Sequence, residues 1–92
     1  MSERLTKDMV VKNTHGLHAR TAALLVKTAN AFKSEVLFEK GTHSVNGKSI
    51  MGVLMLAAGQ GSTIRVIVEG EDAAAALAAI ETLFLAGFNE AS

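Results

Sequence analysis

The sequence predicts one α+β domain spanning residues 1–92. The expected architecture is a two-layer open-faced sandwich: a four-stranded, mainly antiparallel sheet covered on one face by three helices, in the order β-α-β-β-α-β-α. Three observations predict it. A length of 92 residues suits a single modest core. Apolar residues make up 49% of the chain, which favours a packed globule over a disordered one. Short alternating segments are interleaved with segments of helical spacing, and a lone sheet of this size must bury one face under helices.

The first strand is read at Lys7–Lys12, where β-branched residues sit centrally, and Asn13–Leu17 is a loop. From Ala19 to Phe32 apolar residues recur at Ala19, Ala22, Val26 and Ala29, with Leu25 and Phe32 beside them, which is helical spacing; Arg20 and Lys27 fall on the opposite face. Ser34–Glu39 alternates as a strand, Lys40–Thr42 turns, His43–Val45 returns, and Asn46–Gly47 turns again. Ser49–Leu56 fits a buried strand or a short helix, and Ser49 as N-cap favours the helix. Ala57–Ser62 is a glycine-rich loop, and Thr63–Glu69 alternates strongly as the last strand. An Ala-rich helix from Ala73 to about Ala86 follows, with acids at its N-terminal side to complement the dipole and Gly87 as its stop.

Composition excludes several classes of function. Cysteine is absent, so disulfides, thiolate metal sites and thiol catalysis are out, and a reducing compartment fits. No apolar run approaches the ~20 residues of a membrane helix, and the N-terminal MSERLTKDMVV lacks the apolar stretch of a signal peptide, so a soluble cytoplasmic protein is expected. Net charge is zero but unevenly placed: residues 1–48 carry eight Lys/Arg against four Asp/Glu, and residues 49–92 carry one against five. The N-terminal half is therefore the better receiver of an anion or an acidic partner. Overall neutrality, and strands without paired stacking aromatics, argue against nucleic acid.

The informative stretch is Gly16–Leu17–His18–Ala19–Arg20, which puts a histidine where a loop becomes a helix. A helix N-terminus offers free N–H groups and a partial positive charge that favours an uncharged ring. A neutral imidazole nitrogen is a nucleophile. Once it carries a phosphoryl group, the same N–H groups can bind phosphate oxygens, and Arg20 can add a charge-assisted contact. The bland alternative is a polar residue at a helix start with no chemistry.

Ile50, Met51 and Leu54 surround a short helix that can bury one face only, so an exposed docking patch near His18 is expected, rimmed by Arg20, Lys27 and Lys48; Val53 and Leu56 are assigned to the core. His15 and His18 are three apart, but His15 sits in a loop and no carboxylate is placed to complete a zinc site, so neither metal nor cofactor is expected. Gly59–Gln60–Gly61 precedes a strand and lacks the Lys-Ser/Thr of a phosphate loop, so it reads as a turn.

Asn13–Thr14–His15–Gly16–Leu17–His18–Ala19–Arg20 resembles the active-site signature of HPr, the histidine-containing phosphocarrier family of the bacterial phosphoenolpyruvate–sugar phosphotransferase system. The resemblance implies phosphorylation of His18 on its pros nitrogen, with Arg20 contacting the phosphate. Asn46–Gly47–Lys48–Ser49–Ile50–Met51–Gly52–Val53 resembles the family's regulatory segment, which implies that Ser49 is the site of a dedicated serine kinase. The likeness covers nearly the whole chain, including the Gly87–Phe88 close. It implies a monomeric, stoichiometric carrier rather than an enzyme, charged by enzyme I and discharged to an enzyme IIA domain. A nitrogen-branch regulatory carrier and, more remotely, a non-catalytic binding module are the alternatives. One departure stands out: the family usually has proline after the Arg, where this chain has Thr21, and a looser helix start is therefore expected.

Overall fold

The computed structural model describes residues 3–90. Its elements are β1 (Glu3–Val10), α1 (Ala19–Asn30), β2 (Glu35–Lys40), β3 (His43–Asn46), α2 (Ile50–Met55), β4 (Thr63–Gly70) and α3 (Ala73–Leu85), closed by a short turn at Gly87–Asn89. The sheet order is β1-β4-β2-β3 with every pairing antiparallel, so the expected open-faced sandwich is the fold.

β4 shows why the sequence folds this way. Ile64, Val66 and Val68 alternate onto the helix side and are fully buried, beside Val36 and Phe38 of β2 and Met9 of β1. Against them lie Ala22, Leu25, Val26 and Ala29 of α1 and Ala73, Ala76, Ile80 and Phe84 of α3, all buried at helical spacing. Each large aliphatic or aromatic side chain so buried contributes about 2 kcal/mol. Lys7 also points to the helix side, at the sheet edge, and its ammonium pairs with Glu81 of α3.

Several boundaries differ from the sequence reading. β1 begins at Glu3 and ends at Val10, because pairing with β4 runs from Glu3↔Gly70 to Val10↔Thr63. α1 stops at Asn30, whose side-chain amide donates to Val26 O at 3.0 Å, and Phe32 lies beyond the helix. Ala19 is exposed, and Thr21 takes a buried place instead. Ser49–Leu56 resolves as helix: Gly52 N donates to the Ser49 hydroxyl at 3.1 Å, and Val53 and Leu56 are buried.

Asp72 at the N-terminus of α3 does not cap its own helix. Its carboxylate accepts from Lys33 N and Ser34 N, each at 2.9 Å, and from the Ser34 hydroxyl at 2.5 Å. The Ser34 hydroxyl first, then the Lys33 N–H, lowers its pKa from 3.8 to about 2. A carboxylate depressed in the folded state stabilises above its unfolded pKa, and that contribution is lost as pH falls through the folded value. An Asp72→Asn variant should therefore show a flatter loss of stability than the parent between pH 3.8 and about 2, measured by urea unfolding.

Candidate functional site

Gly16 sets the site's entrance. Its φ is +67°, and a Cβ there would lie 2.4 Å from Ala58 O and 2.8 Å from Gly59 Cα. Only glycine suits both the left-handed backbone and the close approach of the Ala57–Ser62 loop. Leu17 N donates to Ala58 O at 2.8 Å and fastens the two loops together.

His18 then takes the N-cap of α1 in extended conformation (φ −106°, ψ −173°), and its carbonyl accepts the first helical bond from Ala22 N at 2.8 Å. The ring turns back over the helix end, so that Arg20 N donates to Nδ1 at 3.3 Å. Its other nitrogen, Nε2, lies 2.8 Å from Glu90 Oε2. A carboxylate only accepts, so Nε2 carries the proton and Nδ1 the lone pair. The contact with Arg20 N fixes the same tautomer from the opposite side.

Glu90 reaches the ring from the far end of the chain. Gly87, Phe88 and Asn89 have φ of 60°, 56° and 61°, a left-handed turn that reverses the backbone after α3. The two non-glycine residues are strained by about 1–2 kcal/mol each. Phe88 offsets this by being buried in T-shaped contact with Phe84, ring centroids 5.0 Å apart. The Glu90 side chain is only 9% exposed. Its Oε1 accepts from Asn13 Nδ2 at 2.8 Å, and Oε2 also accepts from Arg20 Nη2 at 3.2 Å. The Asn13 amide first, then His18, lowers the pKa of Glu90 and keeps it ionised.

The polar contacts close into a ring. Asn13 Nδ2 also donates to Gly16 O at 2.9 Å, the Thr21 hydroxyl donates to the same carbonyl at 2.9 Å, and His18 N donates back to Thr21 Oγ1 at 3.0 Å. His18 is thus held at its backbone by Thr21 and at its ring by Glu90, with Asn13 and Gly16 between. The looser helix start expected from Thr21 is not what the fold contains, because a buried hydroxyl ties the turn.

The remaining site candidates divide into groups. Arg20 stands at the ring with an 82% exposed side chain. Lys27 lies in the last turn of α1, the opposite end from His18. Lys48 and Ser49 are also at that end: Asn30 Nδ2 donates to Lys48 O at 3.4 Å, and the Lys48 ammonium donates to Phe32 O at 2.8 Å. The 12 residues of α1 rise roughly 18 Å from the His18 end to the Asn30 end, beside which Lys48 and Ser49 lie. Along α2 between them, Ile50 and Met51 are exposed, Leu54 is half-buried against the core, and Met55 is 75% exposed. Met55 belongs with the exposed apolar set although the sequence reading did not select it. Among the described residues no three His, Asp or Glu side chains gather as for a metal ion, and no helix is long and apolar enough to cross a membrane.

The family described as "PTS HPr component phosphorylation site" matches residues 5–85. The chain is 49% identical to the phosphocarrier protein HPr of Treponema pallidum, over 94% of this chain and 98% of that one. It is 51% identical to the HPr-like protein Crh of Halalkalibacterium halodurans, over 80% of this chain and 88% of that one. Among solved structures, HPr-C-His from Thermoanaerobacter tengcongensis superposes with a TM-score of 0.88 at 40% identity, covering 98% of this chain and 99% of that one.

Proposed function

The chain belongs to the HPr family of phosphocarrier proteins, and from that premise we propose that Nδ1 of His18 takes a phosphoryl group from phospho-enzyme I and passes it to an enzyme IIA domain during sugar uptake. One observation carries this reading: Nδ1 presents its lone pair at the N-terminus of α1 while Nε2–H is tied to the Glu90 carboxylate.

The Nδ1 lone pair attacks phosphorus, and the bond from phosphorus to the donor's nitrogen breaks with its electron pair returning to the donor. The His18 ring becomes cationic as it gives up the lone pair, and the Glu90 carboxylate on Nε2 stabilises that charge. The incoming oxygens meet the Arg20 N–H and the neighbouring free N–H groups of the first turn, with the Arg20 guanidinium alongside. In the onward step the bond from Nδ1 to phosphorus breaks with its electron pair returning to Nδ1, and because Nε2 keeps its proton against Glu90 the ring leaves as a neutral imidazole, a good leaving group. The chain is regenerated by each onward transfer, so it is a stoichiometric carrier rather than an enzyme, working as a cytoplasmic monomer.

Docking is assigned to the exposed face of α2, Ile50, Met51 and Met55, with Leu54 lending support from beneath. Ser49 at the start of that helix is read as a regulatory phosphorylation site for a serine kinase. A phosphate on its oxygen would sit at a helix N-terminus, which tolerates the charge, and would alter the docking face rather than His18 itself.

The test is incubation of the purified protein with phosphoenolpyruvate and its cognate enzyme I, read by intact mass at neutral pH. One added phosphate, lost in acid and absent from His18→Ala, is expected. An unmodified parent protein, or a phosphate retained by His18→Ala, would contradict the assignment.

A further inference from the structure

We infer that the Thr21 hydroxyl is a positioning group for phosphoryl acceptance, setting the placement of the His18 backbone and through it of Nδ1. This rests on the phosphocarrier reading above. Thr21 is 1% exposed, yet its hydroxyl is engaged on both sides: it accepts from His18 N at 3.0 Å and donates to Gly16 O at 2.9 Å. It therefore spans the three residues Gly16–Leu17–His18 that deliver the ring to the helix end. Without the hydroxyl, His18 N retains only the tight contact to Gly16 O at 3.2 Å, two residues back in the chain.

The lever is short. The His18 ring pivots on its own Cα, so a tilt of that residue moves Nδ1 relative to Arg20 N, which stands 3.3 Å away. In-line phosphoryl transfer depends on placement of the nucleophile and of the donors that receive the oxygens, and small misplacements slow it steeply. The opposite end of the ring is fixed independently by Glu90 at 2.8 Å, so loss of the Thr21 contact leaves the tautomer in place and disturbs position alone. Helix α1 does not depend on the hydroxyl for its ladder, since its first internal bond runs from Ala22 N to His18 O.

The experiment compares the parent, Thr21→Val and Thr21→Ser in single-turnover phosphorylation by phospho-enzyme I. It is run well below the melting transition of each, with melting curves and exchange of the His18 amide proton recorded on the same samples. Valine keeps the branched shape and removes the hydroxyl; serine keeps the hydroxyl. Thr21→Val is expected to be about tenfold slower at saturating donor with unchanged half-saturation, and to exchange the His18 amide faster, whereas Thr21→Ser stays close to the parent. The inference is overturned by a Thr21→Val rate equal to the parent's, by a loss confined to half-saturation, or by a Thr21→Ser variant as slow as the valine one. A parent protein that takes up no phosphate overturns the phosphocarrier reading and this role with it, and the amide exchange then reports separately whether the hydroxyl holds the turn.

Discussion

A Gly16→Ala variant is expected to lose about 3 kcal/mol of stability and to melt roughly 15 °C lower. The left-handed φ of +67° penalises any Cβ, and the added carbon would overlap Ala58 O at 2.4 Å and Gly59 Cα at 2.8 Å. Both are backbone atoms, so relief requires the loops to part. Parting them breaks the Leu17 N to Ala58 O bond and displaces the carbonyl on which Asn13 and Thr21 converge. For a domain whose total stability is about 5–15 kcal/mol, that is a large fraction. Urea unfolding checks it: a lower midpoint with unchanged slope is expected, together with slower phosphorylation of the fraction that remains folded.

The second large effect is expected of Glu90→Gln, which should slow phosphoryl acceptance by about thirtyfold with little change in stability. Asn13 Nδ2 donates to Oε1 at 2.8 Å, so the amide oxygen of glutamine stays at that position and the NH2 group faces His18. An NH2 group donates, and Nε2 must then accept. The proton moves to Nδ1 at the cost of the long 3.3 Å contact from Arg20 N, which a protonated Nδ1 can no longer accept, and the nucleophilic lone pair is withdrawn from the helix end. Tautomer exchange with water keeps a minor reactive population, hence a slowed protein rather than a dead one. Nitrogen chemical shifts of the His18 ring read the tautomer directly: a protonated Nε2 in the parent and a protonated Nδ1 in the variant are expected. A parent tautomer already protonated at Nδ1 would contradict the role given to Glu90.

What the sequence revealed follows the range of the forces involved. β4 was legible because Ile64, Val66 and Val68 alternate onto one buried face. The start of β1 was not, because Glu3–Thr6 is a polar edge segment whose strand character comes from its partner Thr6↔Ile67 to Glu3↔Gly70. His18 and Arg20 were readable as a local motif at a helix start. Glu90 was not, since it lies 72 residues from His18 and is delivered by a left-handed turn at Gly87–Asn89 that only the fold reveals. The one local sign is Gly87 itself, which in the sequence fits an ordinary helix stop. From sequence alone Thr21 predicts a loss of rigidity, because the Gly16 carbonyl that its hydroxyl finds is brought to it only by the fold. Ser49 and His18 lie near opposite ends of α1, a separation that sequence order alone does not give.

The central claim is that His18 accepts phosphate at Nδ1, and the most direct measurement is nitrogen–phosphorus NMR on ring-labelled protein after phosphorylation by enzyme I and phosphoenolpyruvate. Coupling of phosphorus to Nδ1 of His18, with Nε2 still protonated against Glu90, is the predicted result. Coupling to Nε2, or phosphate found instead on the neighbouring His15, whose ring centroid is 6.1 Å away, would contradict it.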